Sequence, residues 1–118
     1  MIKKEGGFMK SVLVIDDDNP EIAELVKMFL NGSNYYATVV YDSKEAWSII
    51  NTQITADVVI AGGHKGFDLL IRISLDPRLR SARLVLMSGY DLSDKSSQIG
   101  ARFLFKPFSQ EELLEVLK

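Results

Sequence analysis

The chain has no cysteine among its 118 residues. Disulfide frameworks, thiolate metal sites and cysteine nucleophiles are excluded, and the composition fits a reducing compartment. Long apolar runs are missing as well. The longest are residues 12–15, 58–61 and 84–87, far short of the roughly 20 residues a membrane-spanning helix needs. We therefore expect a cytoplasmic protein with no membrane partner. Neither sign of charge dominates: 14 Lys and Arg oppose 16 Asp and Glu, a formal net of -2. Such a balance gives no general attraction to nucleic acid. His64 is the sole histidine, so no second imidazole is present to complete a metal site.

What is present suffices for one core. Hydrophobic residues make up 47% of the chain and charged residues 25%, and a domain of this length buries roughly two-thirds of its unfolded surface. Residues 1–10, MIKKEGGFMK, show no period and read as a flexible leader, with Met9 as an alternative start. Residues 11–118 are expected to form the domain. SVLVID is an unbroken apolar run closed by acids, the pattern of a strand buried on both faces. Ile22, Leu25, Val26, Phe29 and Leu30 then fall at helical spacing, between Pro20 and the stop at Asn31-Gly32.

The alternation repeats. Strands are predicted near residues 37–41, 58–61, 84–88 and 103–105, and helices at 43–52, 67–75, 92–99 (the weakest) and 109–118. Regular alternation of this kind implies an α/β domain, a five-stranded doubly wound parallel sheet with helices on both faces.

In such sheets functional groups gather beyond the carboxyl ends of the strands. The first strand ends in Asp16, Asp17 and Asp18, the third in Gly62, Gly63 and His64, the fourth in Ser88 and Gly89, and the last in Lys106 and Pro107. Adjacent carboxylates facing a hydroxyl and a lysine suit a hard divalent cation, magnesium for an oxygen-only set, together with a phosphate-like anion. The plainer alternative makes Asp17 or Asp18 a cap for the first helix and Lys106 a neutralising charge.

The runs VLVIDDD, LVLMSG and GARFLFKPFSQEELLEVL make the chain resemble the receiver domains of two-component response regulators, the CheY-like, flavodoxin-like fold with strand order 2-1-3-4-5. The resemblance implies Asp16 and Asp17 as magnesium ligands, Ser88 and Lys106 as phosphoryl contacts, and Phe103 in the place of the aromatic switch residue. It also implies a histidine kinase or other signalling protein as partner, or a second copy, met through the last strand and last helix.

One residue departs from that pattern. Receiver domains accept a phosphoryl group on an aspartate closing the third strand, and in DVVIAGGHKGFDLL that place is Gly62, with a shortened stretch before Gly66. The expectation is a pseudo-receiver that signals by protein contact, with no catalytic acceptor and a weak magnesium site at Asp16 and Asp17. An acid restored at Gly62 is expected to raise magnesium affinity. Asp57 opens the third strand, about 16 Å from its far end at 3.3 Å per residue, and cannot serve as acceptor. Asp68, in the first turn of the third helix, leaves open an active receiver with a displaced acceptor. His64 and the glycines 62, 63 and 66 leave open a small-ligand or nucleotide binder, although their spacing matches no phosphate-loop fingerprint. Arg72, Arg78, Arg80 and Arg83 read as a solvated edge, and Trp47 as core or partial core.

Overall fold

The computed structural model describes residues 3–4, 7–52 and 56–118. Five parallel strands, β1 (Lys10–Asp16), β2 (Tyr35–Val40), β3 (Val58–Gly62), β4 (Arg83–Ser88) and β5 (Arg102–Phe105), form one sheet in the order β2-β1-β3-β4-β5. Helices α1 (Pro20–Leu30), α2 (Ser43–Thr52), α3 (Gly63–Ser74), α4 (Ser93–Gln98) and α5 (Gln110–Val116) fill the crossovers and close the chain. This is the doubly wound fold and the 2-1-3-4-5 order expected. Within the leader, residues 3–4 pair antiparallel with 7–8, and β1 takes in Lys10, one residue before the expected boundary.

Alternation along the strands divides the core in two, because successive side chains on a strand point to opposite faces. Val12 and Val14 of β1, Val58 and Ile60 of β3, and Val85 and Met87 of β4 pack on one face with α1 and α5. Leu13 and Ile15, Val59 and Ala61, and Leu84 and Leu86 pack on the other with α2 and α3. All five residues of β3 are buried, as a central parallel strand requires. Burying each Leu or Ile side chain contributes about 1.5–3 kcal/mol before entropy is counted.

The helices differ in how they are fixed. α1 begins with Pro20 in its first turn, and α5 with a capping box: Ser109 accepts from the Glu112 N–H while the Glu112 carboxylate accepts from the Ser109 N–H. The short α4 carries no apolar residue, and it is anchored by the buried Ser96, whose hydroxyl donates to the Ala101 carbonyl at 2.7 Å.

The third helix departs most from expectation, starting at Gly63 rather than Phe67, so no loop separates it from β3. Gly63 adopts φ 81°, a left-handed conformation that favours glycine at this turn. Gly66 is buried over Ala61, where an added Cβ would stand 3.4 Å from both the carbonyl carbon and the Cβ of that residue. Glycine there lets α3 lie close on the sheet. With the earlier start, Asp68 falls in the second turn of α3 and is exposed, not in the first turn where it was placed.

Three of the four arginines between residues 72 and 83 are tied down individually, and Arg80 is exposed. Arg72 stacks over Trp47 with its guanidinium 4.2 Å from the ring centroid, Arg78 binds Asp76 and Asn51, and Arg83 donates to the Leu117 and Lys118 carbonyls. Asp57, just before β3, accepts from the Ser11 N–H at 2.8 Å, at the amino ends of the strands.

Candidate functional site

Strand register sets the site. Asp16 pairs with Gly62, Gly62 with Met87, and Ser88 with Phe105, so the last residues of four strands form one row at the carboxyl edge. Lys106 follows directly on β5, and its N–H donates to the Ser88 carbonyl at 2.8 Å, which brings the lysine back over the row. The structure thus assembles Asp16, Asp17, Gly62, Ser88 and Lys106 at one place.

Asp16 is buried and fully engaged. One carboxylate oxygen accepts from Lys106 Nζ in an ion pair, and the other accepts from the Asn19 N–H at 3.0 Å. The Asp16 side chain has no solvent exposure and Lys106 keeps 13%. At such depth an ion pair holds because each charge would be costly without the other. Asp17 is engaged differently, accepting from the Gly66 N–H of α3 at 3.2 Å. Gly62, the residue before α3, has no side chain with which to cap it, and Asp17 supplies a carboxylate from β1's end instead. Neither Asp17 nor Asp18 makes a side-chain cap to α1, whose N-cap is Asn19. The sequence carried no signal for a cap coming from 49 residues away.

The two glycines touch the two acids. An added Cβ at Gly62 would sit 2.6 Å from Asp16 Oδ2 and 3.1 Å from the Met87 carbonyl oxygen. At Gly63 it would collide with the Asp17 carboxylate and stand 3.0 Å from the Asp18 nitrogen. The close approach of β3's end and α3 to β1 therefore depends on glycine at both positions.

Magnesium needs several oxygen ligands around near-octahedral geometry. Here one carboxylate is held by an ammonium, the other by a helix N–H, and residue 62 supplies no side-chain oxygen. Among the described residues no three His, Cys, Asp or Glu side chains come together as a metal site. The donor set does not fit a magnesium cage of the usual kind.

Beside this row lies a cavity of about 430 Å³, bounded by Phe67 of α3, Leu86 and Ser88 of β4, and Leu92 and Lys95 at α4, with Lys106 also on its wall. His64, exposed on α3 rather than in a loop, lines it too, whereas Asp68 does not. Phe103 is half-buried against the α2/α3 core and meets Phe105 edge-to-face with ring centroids 5.7 Å apart. Phe105 is 47% exposed and Tyr90 80%, leaving aromatic surface on this side of the molecule that the sequence reading had not singled out.

The family model for the response regulator receiver domain matches residues 12–118. The chain belongs to that family. The receiver is 32% identical over 111 residues to response regulator GtcR of Aneurinibacillus migulanus, covering 88% of this chain and 45% of that protein. It is 34% identical over 112 residues to the 3',5'-cyclic-nucleotide phosphodiesterase regA of Dictyostelium discoideum, covering 86% of this chain and 14% of that one. It thus spans less than half the length of these relatives. Among solved structures it superposes on the chemotaxis response regulator CheY4 of Vibrio cholerae with TM-score 0.80 at 24% identity, covering 92% of this chain and 96% of that one. The receiver domain of the Francisella response regulator 1452 gives TM-score 0.74 at 28% identity, with 92% and 93% covered. Two-component signalling is the setting of this receiver, and no helix among its described residues is long and apolar enough to cross a membrane.

Proposed function

We propose that this receiver is a pseudo-receiver, a cytoplasmic signalling module without a phosphoacceptor, whose state is fixed by the Lys106–Asp16 pair and whose output is protein contact. The observation that carries the reading is the register of Asp16 with Gly62 at the end of β3, where a Cβ would meet the Asp16 carboxylate at 2.6 Å; in this reading the glycine takes the acceptor's place. Phosphoryl transfer needs an in-line nucleophile held against its stabilising charges. Asp16 is taken up by Lys106, Asp17 by α3, and Asp68 lies outside the cavity wall on which Lys106 stands. Magnesium binding at Asp16 and Asp17 is accordingly weak in this reading, and Ser88 and Lys106 act as structural members of the row.

The contact face is the last strand and last helix, where half-buried Phe103 and exposed Phe105 pair their rings, and the exposed Tyr90 lies just beyond the end of β4. Aromatic side chains are enriched where protein partners meet. The partner is a histidine kinase, another signalling protein or a second copy of the domain.

The test is incubation with magnesium and acetyl phosphate followed by intact-mass measurement. An unchanged mass is expected. A hydroxylamine-labile gain of one phosphoryl group overturns the reading and points to a displaced carboxylate.

A further inference from the structure

The cavity beside the acidic row has walls and donors of two different kinds. Its lining is chiefly apolar, with Phe67, Leu86 and Leu92 supplying the hydrocarbon surface. Its polar side is rich in donors. Ser88 is buried, and its oxygen accepts from the Tyr90 N–H at 2.9 Å, while its own O–H donates to no acceptor among the described residues. Lys106 has three N–H donors and gives one to Asp16. Lys95 adds a second ammonium at the α4 wall, and among the described residues it forms no ion pair. The one carboxylate on the lining is the exposed Asp18.

Ser88 and Lys106, sheltered donors with unspent hydrogens beside apolar walls, are satisfied by an acceptor that carries negative charge, and the exposed Lys95 adds to its attraction. A volume of about 430 Å³ lies in the range of small-molecule sites, which pair apolar walls with a few convergent polar groups. An inorganic anion would leave the Phe67 and Leu92 surface without a contact, and a neutral hydrocarbon would leave the donors without one. Both are met by a flat organic acid.

Resting on the pseudo-receiver reading, in which no phosphoryl group competes for Ser88 and Lys106, we propose that this cavity binds a compact aromatic or otherwise apolar carboxylate. Its carboxylate is held by Ser88, Lys106 and Lys95, and its ring lies against Phe67, Leu86 and Leu92. Binding is reversible and forms no bond. It bridges β4 and α4, so the ligand reports to the face that carries Tyr90.

The probe is 2-naphthoate, titrated into the isotope-labelled chain and followed by backbone amide NMR, with 2-naphthamide and inorganic phosphate as comparison arms. Saturable shifts at Gly63, Gly89 and Tyr90 are expected for naphthoate, with affinity at least tenfold above that for either comparison compound. Gly89 provides a clean variant, since its φ is not left-handed and an added Cβ meets nothing within 4 Å. Gly89→Leu should fill the mouth of the cavity and weaken naphthoate at least tenfold with the rest of the spectrum retained. The exposed Lys95→Gln should weaken it several-fold without affecting naphthamide. No saturable shift in this patch at millimolar naphthoate, equal binding of phosphate or naphthamide, or indifference to both substitutions overturns the proposal. Mass measurement on the same sample separates the two readings. Phosphoryl gain sinks the pseudo-receiver whatever naphthoate does, while a flat titration with unchanged mass sinks the ligand site alone.

Discussion

Gly62 lies against Asp16: the two are register partners on neighbouring parallel strands, and a Cβ on the glycine would stand 2.6 Å from the Asp16 carboxylate. The contact sets a steric cost against the expectation that an acid restored at residue 62 raises magnesium affinity. Asp16 is already held by Lys106 and the Asn19 N–H, so a new side chain must break those bonds or shift the strand. Gly62→Ala should destabilise by about 1–3 kcal/mol through overpacking. Gly62→Asp should cost more, because it sets a second carboxylate beside a single ammonium. Urea midpoints for both variants, with and without millimolar magnesium, check this. Magnesium rescue of Gly62→Asp would show that the site can still open into a cation cage.

The Lys106–Asp16 pair joins β5's end to β1's across the sheet, and its removal should be strongly asymmetric. Lys106→Met leaves the Asp16 carboxylate buried without its partner and should cost about 3–5 kcal/mol. Pairing it with Asp16→Leu removes both charges, and the double variant should recover most of that loss, a coupling well outside simple additivity. Denaturant unfolding of the two single variants and the double variant measures it. Additive losses would mean that the pair is not what holds the lysine.

Much of the fold was legible because each strand is a short apolar run and each amphipathic helix is marked by its spacing. The rows that end in Asp16, Ser88 and Lys106 could be lined up from the carboxyl-edge rule alone. The start of α3 could not. GGHKG reads as a loop by composition, since glycine weakens a helix by about 1 kcal/mol relative to alanine. Tertiary contact overrides that cost here: Asp17 caps the helix from another strand, and Gly63 and Gly66 permit the close approach that capping and packing require. The cavity was equally hidden, because Phe67, Leu92 and Lys95 meet only once α3 and α4 are folded onto the sheet.

Asp17 should prove to be a structural cap. Asp17→Ala removes the acceptor for the Gly66 N–H and should cost about 0.5–2 kcal/mol, the range for loss of a side-chain cap. Amide exchange at Gly66 should accelerate, while exchange in β2, remote from α3, tracks only the global change. Asp17→Asn keeps an acceptor oxygen and should recover part of the loss. If Asp17→Ala leaves Gly66 exchange unchanged, the carboxylate serves some purpose other than holding α3.

A further consequence concerns acid. Asp76 caps the short turn Pro77–Leu79, accepting from the Arg78 N–H at 2.9 Å and from the Arg78 guanidinium at 2.7 Å. The side-chain hydrogen bond from Arg78, reinforced by its backbone N–H and its charge, holds the Asp76 carboxyl below the usual aspartate value. A carboxyl depressed in the folded state binds its proton more readily when unfolded. Its contribution is therefore complete above the unfolded value of about 3.9 and is lost as pH falls through that value toward the lower folded one. Asp76→Asn should lower the urea midpoint slightly at neutral pH, and the gap to the parent should close as the pH drops below that range. Because the Arg78 side chain is 61% exposed, added salt should narrow the gap at neutral pH as well. Urea titrations of parent and variant across this pH range decide it: a gap that persists in acid would assign the effect to the turn's backbone geometry and not to the charge on Asp76.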